Sequence, residues 1–173
     1  MISNSVFNYG ELTPAHLVKH CTPELMTYYG LLPSDIDNPR NGILILEKIE
    51  ESFDRLDVCF LYDGFNQKIH LKVLRPELLA CRISPSSATE FRTFQDIDGA
   101  ELMQPNPETR PYRRILSMHA KYAFARALNL GWINDTELIN TYFNASDDGL
   151  QEHECINTLS WAEIKYNEIE SFI

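Results

Sequence analysis

Hydrophobic and polar positions alternate in blocks that predict a mixed chain. Ile43-Leu44-Ile45-Leu46 follows an Asn41-Gly42 turn, and Glu47 to Leu56 then places Ile49, Phe53 and Leu56 at helical spacing, predicting a short helix with one buried face. Val58–Tyr62 and Lys68–Val73 are strand-like runs around Asp63-Gly64-Phe65-Asn66-Gln67, a hairpin signal. Upstream, Val6–Tyr9 reads as extended before a Gly10 turn, and Pro14 argues against a regular central strand just before Ala15-His16-Leu17-Val18. Thr22-Pro23-Glu24 reads as N-cap, first-turn proline and dipole-facing acid of a helix that ends at Gly30. The two prolines of 33–40 predict an irregular loop, and Pro85, Pro105, Pro107 and Pro111 predict the same for most of 83–112. One long helix is expected over 110–133, with Ile115, Met118, His119, Tyr122, Ala123 and Leu128 as its apolar stripe and Gly131 at its end. Residues 145–149 read as a joint before a last helix from about Ser160.

Composition sharpens this picture in one respect. The 173 residues are 44% hydrophobic and carry a net charge of -10, so a buried core can form and wholesale disorder is excluded. The charge is uneven: residues 1–126 hold 16 acidic and 14 basic side chains (16 against 14, net -2), whereas 127–173 hold 9 acids against Lys165 alone (net -8). Arg110, Arg113, Arg114, Lys121 and Arg126 follow one another without an intervening acid, the one net-positive stretch. Cys21, Cys59, Cys81 and Cys155 form no CxxC pair, which speaks against a zinc ribbon or a dense disulfide framework and for a reducing compartment. With no run of about 18 apolar residues and no secretory start, an intracellular protein of cytoplasm or nucleus, without a membrane partner, is the expectation.

Three segments carry candidate chemistry: Ala15-His16-Leu17-Val18, Asn41-Gly42-Ile43-Leu44-Ile45-Leu46, and Ile49-Glu50-Glu51-Ser52-Phe53-Asp54-Arg55. Together they resemble the His-Asn-His (HNH) endonuclease family, in its branch with A-H-[IL]-[VI], N-G-[IL]-L-L and L-H-x-x-F-D segments. The resemblance covers residues 11–62, and Leu116-Ser117-Met118-His119 looks like the family's later L-x-x-H helix. It implies an α+β fold with a ββα-metal core, to which the periodicity adds a hairpin, a long basic helix and an acidic C-terminal helical extension. The implied domains are 1–133, nuclease-like, and 134–173, the acidic extension. By the same resemblance His16 is the general base for water attack on a DNA phosphodiester, a role that suits an imidazole titrating near ~6.5. Asn41 orients the His16 loop through its amide, and one divalent ion, Mg²⁺ or Mn²⁺, is the cofactor.

The sequence departs from the family where its metal-binding histidine belongs. Nine residues after Asn41 stands Glu50, a hard-oxygen ligand that suits Mg²⁺ or Mn²⁺. The residue before His16 is Ala15, where other branches place an acid, so further ligands fall to Glu11, Asp37, Glu47 or Asp54. Arg40 and Arg55 are candidates for clamping a phosphate, and Arg113, Arg114 and Lys121 for nucleic-acid contact. Each also has a plainer reading: a core or capping histidine at His16, a turn at Asn41, a solvated face at Glu50, a backbone brace at Asp54, a core histidine at His119. The rival function is an HNH-type fold without turnover that binds nucleic acid or protein, its acidic tail meeting a basic partner, a second copy or its own basic helix. RNA stays open as a substrate. A nucleic-acid mimic, suggested by the net charge, is opposed by the basic helix.

Overall fold

A computed structural model describes residues 12–63, 68–83, 92–102 and 107–134. The segment Val6–Tyr9 expected to be extended, Glu11, the expected turn at 64–67 and the acidic residues from 135 onward, with the expected joint at 145–149 and last helix, lie outside these residues.

Helix and strand are mixed, and the sheets are small and antiparallel. β1 (Leu12–His16) pairs with β2 (Gly42–Leu46) so that Ala15 lies opposite Ile43 and His16 opposite Gly42. Pro14 sits inside β1 opposite Leu44, and β1 is one edge of a two-stranded ribbon, not the regular central strand that the proline argues against. A two-stranded ribbon has an open side along each strand, where a missing N–H costs no ladder bond. Between the two strands, α1 (Glu24–Tyr28) ends at Gly30, whose φ of 70° is the left-handed turn that glycine makes without strain. Pro23 rather than Thr22 precedes its first residue, and the Thr22 hydroxyl donates backward to the Lys19 carbonyl. The expected loop at 33–40 is wound into two short 3-10 turns, Pro33–Asp37 and Pro39–Asn41.

β2 runs straight into α2 (Glu47–Asp54), completing a hairpin-then-helix unit. The helix stops two residues before Leu56, which adopts φ 60°. There the Leu56 amide donates to Phe53 and the Asp57 amide to Ser52, the paired bonds of a Schellman end. Ile49 and Phe53 point inward as their spacing predicts.

A second ribbon, β3 (Val58–Asp63) with β4 (Lys68–Val73), packs against this unit. Ala15, Ile43, Ile45, Ile49, Phe53, Phe60, Ile69 and Leu71 form one continuous core between the two ribbons and α2. Within 83–112, where mostly loop is expected, α3 (Phe94–Ile97) buries Phe94 and Ile97, and the chain after it hydrogen-bonds along β4 through Gly99, Ala100 and Leu102.

α4 (Arg113–Asn129) spans 17 residues and is buried on more than the predicted stripe. Ala120, Ala123, Phe124 and Ala127 face Cys59 and Leu61 of β3, while Ile115 and Tyr112 meet Val18, Met26 and Ile36. Short alanine side chains around Phe124 let the helix lie close to the strand, which is why a face of mostly small residues is nevertheless core. Among the described residues no helix is long and apolar enough to cross a membrane.

Asp57 ties these elements together. It is fully buried: its carbonyl accepts the amides of Leu74 and Arg75, and its carboxylate accepts Arg55 (3.4 Å), Arg75 (3.4 Å) and Arg126 (3.1 Å). Arg126 also donates to the Arg55 carbonyl. The end of α2, the end of β4 and the last turns of α4 therefore share one anion. Replacing Asp57 by alanine leaves three cations around an apolar hole. Because the arginine side chains are 36 to 54% exposed and recover water, the expected loss is roughly 2–3 kcal/mol of unfolding free energy. Urea unfolding of Asp57→Ala followed by circular dichroism measures it, and a loss under about 0.5 kcal/mol contradicts this role.

Candidate active site

The site begins with a side chain that has no exposure. Asn41, at the end of the second 3-10 turn, is completely buried and hydrogen-bonds on both sides of its amide. Its Oδ1 accepts the Val18 amide at 2.9 Å, and its Nδ2 donates to the carbonyls of Val18 and Ile36, each at 2.9 Å. Its own carbonyl accepts the Leu17 amide at 2.8 Å. A buried carboxamide is held in one orientation when donor and acceptor sides are both used, and so is the backbone it grips. That backbone leaves β1 directly after His16.

His16 is half-buried at the end of the first ribbon. The edge of the His20 ring meets its ring, the centroids 4.8 Å apart and the planes at 71°, and His20 Nε2 lies 3.5 Å from Asp37 Oδ1. A chain of imidazole, imidazole and carboxylate thus runs from the ribbon end to the first 3-10 turn.

On the other side of the same loop, Lys19 Nζ lies 2.9 Å from Asp54 Oδ2 and 3.3 Å from Glu50 Oε1. Burial works against the Lys19 charge, but the hydrogen bonds and charges of Asp54 and Glu50 outweigh it and raise its pKa. Glu50, expected to face a metal ion, faces a lysine; Asp54, expected as a brace or ligand, faces the same lysine. Glu47 is exposed on the first turn of α2, and Asp37 belongs to His20. Among the described residues no three His, Cys, Asp or Glu side chains gather where they could share a metal ion. As arranged, the donors among the described residues do not fit a protein-held divalent ion.

The arginines expected to meet phosphate are engaged within the fold. Arg40 donates from Nε to the Arg110 carbonyl (3.1 Å) and stacks over Tyr112, 4.3 Å from its ring centre. Arg55 reaches Asp57 and Glu51. Arg113 lies over the Tyr62 ring at 4.2 Å. Arg114 is only 9% exposed and donates to the Tyr29 carbonyl at 2.8 Å, so it is an interior strut rather than a surface cation. Lys121 is half-buried on α4.

His119 lies behind α2. Its ring stacks flat on Phe53, 3.5 Å between centroids at 7°, and its Nε2 meets the Phe53 carbonyl at 2.7 Å. A carbonyl can only accept, so Nε2 carries the proton; Nδ1, buried without a partner among the described residues, keeps its lone pair. Burial pushes the pKa down to about 4 against the opposing pull of the Phe53 carbonyl and Asp54. His119 is a neutral side chain that supports the helix carrying Glu50 and Asp54.

Sequence reasoning passed over both Lys19 and His20. Their partners Glu50, Asp54 and Asp37 lie 17 or more positions away, and only the fold closes those distances. Residues 1–61, which include β1, α1, β2 and α2, match the family model described as HNH endonuclease. No curated protein and no solved structure matches the chain.

The His119 assignment predicts a pH dependence. The unfolded ring titrates near 6.5 and the folded one at about 4, so the unfolded chain binds more protons between those values. The stability contributed by the neutral ring is complete above about pH 6.5 and is lost as pH falls toward 4, at up to about 1.4 kcal/mol per pH unit. Thermal unfolding should therefore show the Tm gap between wild type and His119→Gln narrowing from pH 7.5 to pH 5. A gap that stays constant contradicts a neutral His119 in the folded protein.

Proposed function

We propose that this chain hydrolyses DNA phosphodiester bonds with His16 as general base; the match of residues 1–61 to the HNH endonuclease model supports a nuclease-type activity in general terms. The observation that carries the proposal is the Asn41 amide, which grips the backbone on either side of Val18 and so sets the direction in which the His16 ring leaves the ribbon. A base held in one orientation removes a proton from a water already aligned with phosphorus, which is the part of the barrier that positioning lowers.

In the proposed step the neutral His16 ring accepts a proton from water and the oxygen attacks phosphorus. The bond to the leaving oxygen then breaks, and that oxygen takes a proton from solvent. His20, edge-on to His16 and paired with Asp37, limits the tilt of the ring and places a second imidazole beside the reacting water. HNH nucleases generally use a divalent metal. Because Glu50 and Asp54 are bound to Lys19 here, no step is assigned to one. The proposed nuclease unit is residues 1–133, with 134–173 as an acidic extension that meets a basic partner or a second copy.

A second reading has one observation on its side. The carboxylate at the expected ligand position is neutralised by a lysine, which suits an HNH-type module that binds nucleic acid or protein without turnover.

Cleavage of supercoiled plasmid at low salt, in parallel with a structured RNA, separates the two. Wild type is expected to nick the plasmid and His16→Ala to do so about 10²- to 10⁴-fold more slowly with unchanged DNA binding in a gel-shift assay. Equal rates for both proteins remove His16 from the role of base. Binding without cleavage of either polymer favours the silent module, and cleavage of RNA alone reassigns the substrate.

A further inference from the structure

Glu50 and Asp54 stand one helical turn apart on α2, so their carboxylates project to the same side and repel each other. Between them lies a cation supplied by the chain itself. Lys19 follows Val18, the residue whose amide and carbonyl are both held by Asn41, so the clamp beside His16 also fixes where the lysine starts. Its ammonium reaches both carboxylates, at 2.9 and 3.3 Å, and draws α2 toward the His16 loop. A hard divalent ion wants about six oxygen ligands and no neighbouring ammonium. This cluster offers two carboxylates and a positive charge.

We propose that Lys19 is the resident cation of the Glu50–Asp54 pair, holding α2 to the catalytic loop in place of a divalent ion and closing that position to metals. The proposal rests on reading position 50 as the place where this family keeps a metal ligand. It makes the hairpin-helix unit self-neutralising: the loop, the helix and the counter-charge all come from one stretch of chain.

Thermal unfolding in EDTA and in millimolar Mn²⁺ tests this without reference to cleavage, so the outcome is the same test for an active and an inactive protein. The wild-type Tm is expected to be the same in both buffers. Lys19→Met should lower Tm by about 2–5 °C in EDTA, and Mn²⁺ should recover the loss. Adding Glu50→Gln to Lys19→Met should abolish both the loss and the response to Mn²⁺, whereas Lys19→Arg should behave as wild type. A wild-type Tm that rises with Mn²⁺ and no longer does so in Glu50→Gln overturns the proposal, because the pair then takes a metal despite the lysine. A Lys19→Met protein as stable as wild type in EDTA, or one whose loss Mn²⁺ leaves untouched, overturns it as well.

Discussion

One buried carboxamide determines where everything near the candidate site stands. Asn41 uses both sides of its side-chain amide on main-chain atoms of Val18 and Ile36, and its carbonyl takes the Leu17 amide. Leaving any of these buried groups without a partner costs about 1–3 kcal/mol, so the segment after His16 has few alternatives to its observed path. His16 on one side of the clamp and Lys19 on the other are both directed by it. An amide is suited to this work because it donates and accepts at once and does not change charge with pH.

The clamp needs a rigid background, which the rest of the fold supplies. The two ribbons and α2 close one core, and α4 closes a second with β3 and a third with α1 and the 3-10 turns. Asp57 joins the ends of α2, β4 and α4 through three arginines, and His119 presses on Phe53 from behind. The helix that carries Glu50 and Asp54 is thus held at its end by Asp57 and on its buried face by a neutral ring. Most of the positive charge in the region is committed to such internal contacts, including the interior guanidinium of Arg114.

Local periodicity made much of this legible. The run from Ile43 into the Glu47–Asp54 helix, the β3–β4 pair and the long α4 each announce themselves within a dozen or so residues, and the spacing of His16 and Asn41 drew attention to the loop they share. What stayed hidden depends on partners far away in sequence. Pro14 argued only against a central strand, which β1 is not, and nothing local says that β1 pairs with β2. Arg114 looked like part of a basic surface because its acceptor, the Tyr29 carbonyl, lies 85 residues away. Glu50 looked like a metal ligand because Lys19, 31 residues earlier, carries no signal of its own. Ala120 and Ala127 of α4 are too small to mark a second buried face until β3 is placed against them.

If the Asn41 clamp is what aims His16, loosening the clamp must cost cleavage, and amide hydrogen exchange combined with plasmid cleavage on Asn41→Ala measures both ends of that link. In wild type the Val18 amide should exchange slowly. In the variant it should exchange quickly while amides of β3, β4 and α4 stay protected, and cleavage should fall together with Val18 protection. Full cleavage by a variant whose Val18 amide has lost its protection would contradict the proposed link, because His16 would then need no clamp.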